Sequence, residues 1–198
     1  MPNYCYNTIR IVGGKEKLEK LLNDIRYVND QNETVYNITR AYKCPSELDM
    51  IHRGGVKIDG AMHKRWYYLD KNGELVERSP FQEDDDDIGK PIGMTEGFEK
   101  ELIEKFGFAD GFDFRTEMWG TKWVTDCEDY REWLEDDDES DLNFECESAW
   151  SPPLQLLHKI IEKYDLKYAT CRWWEEGGYT GWDSFYNELT IDPPMLRG

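Results

Sequence analysis

The stretch Leu142-Asn143-Phe144-Glu145-Cys146-Glu147-Ser148-Ala149-Trp150-Ser151-Pro152-Pro153 changes its periodicity partway along, and that change decides the architecture. Leu142, Phe144, Cys146 and Ser148 alternate with Asn143, Glu145, Glu147 and Ala149, the period-two pattern of a strand with one face on a core. Beyond Trp150 the pattern turns helical, with Leu154, Leu157, Ile160, Ile161 and Tyr164 on one stripe. Ser151-Pro152 predicts the start of that helix: a hydroxyl cap, then a proline at the first helical position, where a missing N–H loses nothing. Residues 166–176 and 179–189 read as a long strand and its partner across Gly177-Gly178.

The beginning of the chain has the same logic. Residues 4–12 alternate as a strand, with Cys5, Ile9 and Ile11 on one side and Tyr4, Tyr6, Thr8, Arg10 and Val12 on the other. After Gly13-Gly14, Leu18, Leu21, Leu22 and Ile25 mark an amphipathic helix over residues 15–27. Residues 34–42 read as a second strand, closed by Cys44-Pro45 because the residue before proline is pushed into extended backbone. The order βαβ, insertion, βαβ predicts an α+β fold of the ferredoxin-like, split βαβ kind, an antiparallel sheet with helices on one face. A single domain over residues 1–198 is expected, carrying an insertion over about 49–94 and an acidic segment over about 126–141. The insertion is read as a hairpin, residues 65–69 and 74–78 around Asp70-Lys71-Asn72-Gly73, followed by an acidic loop. Phe98, Leu102, Ile103 and Phe106 predict a helix after Thr95, ended by Gly107.

Hydrophobic residues are 39% of the 198 and there are eight Trp, enough apolar surface for a core. No run of about 18 apolar residues occurs, and the start lacks a basic patch followed by an apolar stretch, so a cytoplasmic protein of the host cell, without a membrane contact, is expected. The formal net charge is -18. Residues 81–148 hold 6 basic and 24 acidic side chains, against 13 and 11 over residues 1–80 and 5 and 7 over residues 149–198. Such a surface repels phosphate backbones and attracts a basic protein surface, so no direct nucleic-acid binding is expected. The acids gather in Asp84, Asp85, Asp86 and Asp87, and in Asp136, Asp137, Asp138 and Glu139 with Asp141. Neither run has the glycine and closing glutamate of a calcium loop, so solvated loops are the plainer reading and neither a metal nor a cofactor is predicted.

Five widely spaced Cys and three His lack metal-ligand spacing. Glu175 and Glu176, beside Trp173-Trp174 and Gly177-Gly178, are the carboxylates best placed for chemistry; exposed acids at a strand end are the bland alternative. Trp119-Gly120-Thr121-Lys122-Trp123 either forms an aromatic clamp with Lys122 as its cation or packs its indoles into the core. No nucleophile and base can be named, which leaves enzymatic activity open.

The start Met1-Pro2-Asn3-Tyr4-Cys5-Tyr6-Asn7, Cys44-Pro45-Ser46-Glu47-Leu48, Trp119-Gly120-Thr121-Lys122-Trp123, Ala149-Trp150-Ser151-Pro152-Pro153 and Glu175-Glu176-Gly177-Gly178-Tyr179-Thr180-Gly181, in that order, together resemble the YubB-type ferredoxin-like proteins. The resemblance implies a ferredoxin-like topology without an iron–sulfur cluster and a gene carried on phages, plasmids and other mobile elements. It implies no activity and no catalytic residues. Tyr4 stands where the family often has Trp, and Gly111-Phe112-Asp113-Phe114 replaces a more aromatic stretch. The chain is expected to act in one of two ways. In the first it is a mobile-element accessory protein whose acidic surface docks on a basic, nucleic-acid-handling host or defence protein, as an inhibitor or a DNA mimic. In the second it is a small-ligand or nucleotide-binding domain with Trp119, Lys122, Trp123, Trp150, Glu175 and Glu176 around one pocket.

Overall fold

The computed structural model describes side chains for residues 3–49, 100–127 and 140–187, and backbone alone for residues 51–52, 55–58, 61–64, 67–70, 75–77, 88–91, 96–99 and 129–133. In chain order the elements are β1 (Tyr4–Gly13), α1 (Lys15–Ile25), β2 (Arg26–Val28), β3 (Thr34–Tyr36), a 3-10 turn (Ile38–Tyr42), α2 (Ser46–Asp49), β4 (Ile51–His52), β5 (Gly55–Ile58), β6 (Ala61–Lys64), β7 (Tyr67–Asp70), β8 (Leu75–Glu77) and β9 (Ile88–Pro91). They continue with α3 (Glu96–Phe106), α4 (Gly111–Trp119), β10 (Asp129–Trp133), β11 (Ser140–Ala149), α5 (Leu154–Tyr164), β12 (Tyr168–Glu175) and β13 (Thr180–Tyr186). The chain divides into two units, Met1–Lys43 with Arg115–Gly198, and Cys44–Phe114.

The first unit is built on a five-stranded sheet in the order β10-β11-β1-β12-β13. β1 is antiparallel to both β11 and β12, so these two run parallel to each other with β1 between them, and α5 joins them: a split βαβ unit. Along β1, Cys5, Asn7, Ile9 and Ile11 are buried while Tyr4, Tyr6, Thr8 and Arg10 are exposed. Leu142, Phe144, Cys146 and Ser148 of β11 and Ala169 and Cys171 of β12 complete the buried face. α1 covers it through Leu18, Leu21 and Ile25, and α5 through Leu156, Leu157, Ile160, Ile161 and Tyr164. The fold is α+β and ferredoxin-like, an antiparallel sheet with its helices on one face. No helix among the described residues is long and apolar enough to cross a membrane.

Several elements differ from the sequence reading. The strand expected over 34–42 stops at Tyr36; β3 pairs only with β2, outside the large sheet. Asn37 accounts for the stop: its side chain accepts from the Thr39 N–H and starts a 3-10 turn. α1 ends at Ile25, because residues 26–28 join β3 instead of continuing the helix. Ser151 does not cap α5. Its hydroxyl donates to the Gly120 carbonyl at 2.6 Å and Pro153 takes the cap position; the buried stripe is also rotated from the one expected, with Leu156 inside and Leu154 half-buried. Val12, placed with the outward residues, is buried between its ladder neighbours Asp141 and Tyr168. Within the segment read as acidic loop, residues 129–133 form edge strand β10 against β11. α4, over the Gly111-Phe112-Asp113-Phe114 stretch, has no counterpart in the reading above.

The second unit contains the insertion expected over 49–94. Its hairpin pairs Tyr67 with Glu77, Tyr68 with Val76 and Leu69 with Leu75, and β9 adds to the other edge of β7. β4, β5 and β6 form a separate antiparallel meander. α3 ends where Gly107 takes a φ of +79°, a left-handed position suited to glycine.

The rotated stripe is testable by urea denaturation. Leu157→Ala and Leu156→Ala are each expected to cost about 2–5 kcal/mol, as for a fully buried leucine, and Leu154→Ala less than about 1.5 kcal/mol. Equal losses at all three positions would return Leu154 to the core.

Candidate functional site

One end of the large sheet is held together by the distinctive sequence motifs. The Tyr4 N–H donates to Glu176 Oε2 at 2.9 Å and the Glu176 N–H to the Tyr4 carbonyl at 3.1 Å, tying the chain's start to the β12–β13 turn. The Trp150 N–H donates to the Asn3 carbonyl at 2.9 Å. The Thr121 hydroxyl bonds both backbone groups of Ala149, donating to its carbonyl at 2.8 Å and accepting from its N–H at 3.0 Å. Gly120 sits at a φ of +82°, a left-handed position that favours glycine, and its hydrogen-only side chain leaves room for the Gln155 side chain of α5.

Trp150 is a non-glycine residue at a φ of +62°, a conformation that costs an L residue about 1–2 kcal/mol. The residue is 49% exposed, so about half of its surface remains open to solvent or a partner. Lys122 Nζ stands 5.7 Å from the ring centre, within cation–π range. Trp123 meets Tyr4 edge to face at 5.4 Å. Trp119, by contrast, is buried and donates its indole N–H to the Tyr42 carbonyl at 2.7 Å, a packing role. The Glu175 carboxylate is buried and accepts the Gly177 N–H at 2.8 Å. Of the six residues expected around one pocket, Lys122 with Trp150, and Trp123 with Glu176 through Tyr4, are therefore brought together. Glu175 and Glu176 serve as acceptors that staple the β12–β13 turn and the first strand.

The acidic residues Asp84, Asp85, Asp86, Asp87, Asp136, Asp137, Asp138 and Glu139 lie outside the described residues. Asp141 is described, and it accepts from Arg10 Nε at 2.6 Å, so its charge is locally compensated. No group of three potential metal ligands occurs among the described residues. The cysteines are free thiols, and burial raises the pKa of Cys5 to about 11 and of Cys127 and Cys171 to about 12.

The face of the sheet away from the helices carries a feature that the reading of motifs missed. Register places Tyr6 beside Trp174, Arg172 beside Trp182, and Tyr168 beside Tyr186 on this side. Tyr6 and Trp174 stack at 5.0 Å and 23°, and Tyr168 and Tyr186 lie 5.7 Å apart. All are large rings, yet Trp174 is 47% and Trp182 64% exposed. Glu147 and Glu145 lie across the β1–β11 ladder from Tyr6 and Thr8, on the same side. The signal was present: these aromatics occupy the even positions of β1, β12 and β13, the parity otherwise given to polar residues.

Residues 129–195, which contain β10 to β13, match the family profile described as a ferredoxin-like domain in Api92-like protein. No curated protein and no solved structure matches the chain.

If the left-handed backbone at Trp150 is imposed by the surrounding hydrogen bonds, Trp150→Gly is expected to be more stable than Trp150→Ala by about 1–2 kcal/mol in chemical denaturation. Equal stabilities would show that the junction relaxes when the ring is removed.

Proposed function

We propose that this protein is a binding protein without chemistry of its own, whose helix-free sheet face docks on a basic protein surface. The observation that carries this reading is the row of exposed rings, Tyr6, Trp174, Trp182 and Tyr186, beside Glu145 and Glu147. Exposed tryptophans of this kind supply hot-spot area, about 150–250 Å² for each ring covered. Carboxylates beside aromatic faces suit Lys and Arg, which gain both an ion pair and a cation–π contact.

A helix-free antiparallel sheet with aromatic residues is also how some proteins stack single-stranded RNA. Here Arg10 is already paired with Asp141, and Arg172 shares its side of the sheet with Glu145, across Thr8, and with Glu147, in a chain of net charge -18. That balance favours a cationic occupant. The finer setting also belongs to this proposal: an accessory protein of YubB type, carried by a phage or another mobile element and acting in the host cytoplasm. Its partner there is a nucleic-acid-handling host or defence protein, which it inhibits, with DNA mimicry by the acidic runs as one form. The five motifs and the concentration of acid in residues 81–148 support this setting.

The alternative, a small-ligand domain at the Trp-Gly-Thr-Lys-Trp motif, retains the exposed Trp150 and Lys122 pair as its support. It is weaker because Trp119 and Glu175 are engaged elsewhere.

Titration with an arginine-rich peptide and with a single-stranded oligonucleotide of equal length separates these ideas. The peptide is expected to bind, more weakly as salt rises, and Trp174→Ala with Trp182→Ala to weaken it at least about tenfold without loss of secondary structure. Tighter binding of the oligonucleotide, or peptide binding indifferent to both tryptophans, would overturn the proposal. In capture from host lysate, changing Asp84 to Asp87 and Asp136 to Asp138 into Asn is expected to lower recovery of the partner.

A further inference from the structure

The helix layer of the first unit holds an open concavity of about 430 Å³, lined by Asp24, Arg40, Ala41, Tyr42, Lys43 and Lys163. It is formed where the 3-10 turn meets the ends of α1 and α5, and it uses none of the residues that the sequence offered for a pocket. Its charge runs against the composition of the chain. Three of the six lining residues are cationic, and the one carboxylate, Asp24, accepts the Tyr164 hydroxyl at 2.6 Å. A fourth cation, Lys159, places Nζ 5.5 Å from the ring centre of Tyr42.

Structural duties account for part of this cluster. Lys163 Nζ donates to the Ala41 carbonyl at 2.6 Å, which fastens the 3-10 turn to α5. That bond uses one of three ammonium protons. Arg40 stacks its guanidinium 4.6 Å from the ring centre of Tyr27. Its Nε is buried with no hydrogen-bond acceptor among the described residues, so only the rest of the guanidinium is open to a ligand. Lys43 is exposed and lines the concavity. Cations held close together repel one another, and a fold in which acids outnumber bases 42 to 24 has many carboxylates with which to separate them.

The geometry points to this concavity as a binding site for a small phosphate-bearing molecule. Its volume falls in the range of small-ligand pockets, about 300–1,000 Å³. Arg supplies a planar fork that matches phosphate oxygens, and the two lysines supply point charges. A polymeric phosphate would bring further charges against a strongly acidic chain, whereas a small anion engages only the local cations. This inference does not depend on the docking face, which lies on the other side of the sheet.

The test is calorimetric titration of the full chain with inorganic pyrophosphate. Saturable one-to-one binding is expected, at about 1 mM or tighter. Lys43→Gln should weaken it about tenfold and leave the melting temperature of the free protein unchanged, since Lys43 is exposed. Arg40→Lys should not restore what Arg40→Gln loses, because an ammonium lacks the fork. Arg172→Gln, on the helix-free face, should bind as the parent does. Absence of saturation up to about 10 mM, or equal binding by Lys43→Gln with Lys163→Gln, means an adventitious ion only and overturns the site. A single-stranded oligonucleotide binding more tightly than pyrophosphate, with the same dependence on Lys43, would overturn the assignment to a small ligand.

Discussion

The structure depends on β1 being laddered on both sides. The strand at the start of the chain lies antiparallel between β11 and β12, which α5 connects across it. Its pairings are therefore distant in sequence, Tyr4 against Ala149 and Cys5 against Glu175, and such topologies fold slowly because the loop must close before the contact rewards it. Asn7 helps specify the register. Its buried amide donates to the Cys5 carbonyl at 2.8 Å and to Ser148 Oγ at 2.9 Å, so a slip of one residue would bury Tyr6 and strand those polar groups.

From that arrangement the one-sidedness of the molecule follows. α1 follows β1 and α5 follows β11, and both pack on the face of Cys5, Asn7, Ile9 and Ile11. Neither α1 nor α5 covers the opposite face. In most half-buried sheets those positions are polar, and a sheet that fills them with Tyr6, Trp174, Trp182 and Tyr186 leaves apolar area exposed that the core does not need.

β1, β11, β12 and β13 and both helices of the large sheet were legible because alternation and the helical stripe are local signals, as along Leu142 to Ser148 and Leu18 to Ile25, whereas edge strand β10 was hidden in an acidic segment. What was not legible depended on single side chains bonding to distant backbone. Asn37 turned an apparent strand into a 3-10 turn through Thr39, and Ser151 gave its hydroxyl to Gly120 rather than to α5. The same limit applies to the site. Trp-Gly-Thr-Lys-Trp stood out as a motif, but its Thr121 and Gly120 are distinctive because they build a junction with Ala149 and Ser151. The cationic concavity joins residues 24, 40–43 and 163, separations that no spacing rule connects.

Acid excess and a cationic concavity are compatible because they act over different distances. At physiological salt the field of exposed charges fades within about 8 Å, so the net charge of -18 governs which large partners approach, and hardly the contacts inside a cleft. A long phosphate polymer must cross that field with every charge it carries. A basic protein surface gains from it, and a small anion at Arg40, Lys43 and Lys163 meets those cations at contact range. The paired Arg10 and Asp141 show the same point on the sheet, where an exposed ion pair contributes about 0–1 kcal/mol and removes two charges from the long-range balance at once. Among the described side chains, what a partner meets on the helix-free face is then set by Glu145 and Glu147 against Arg172, and by the rings between them.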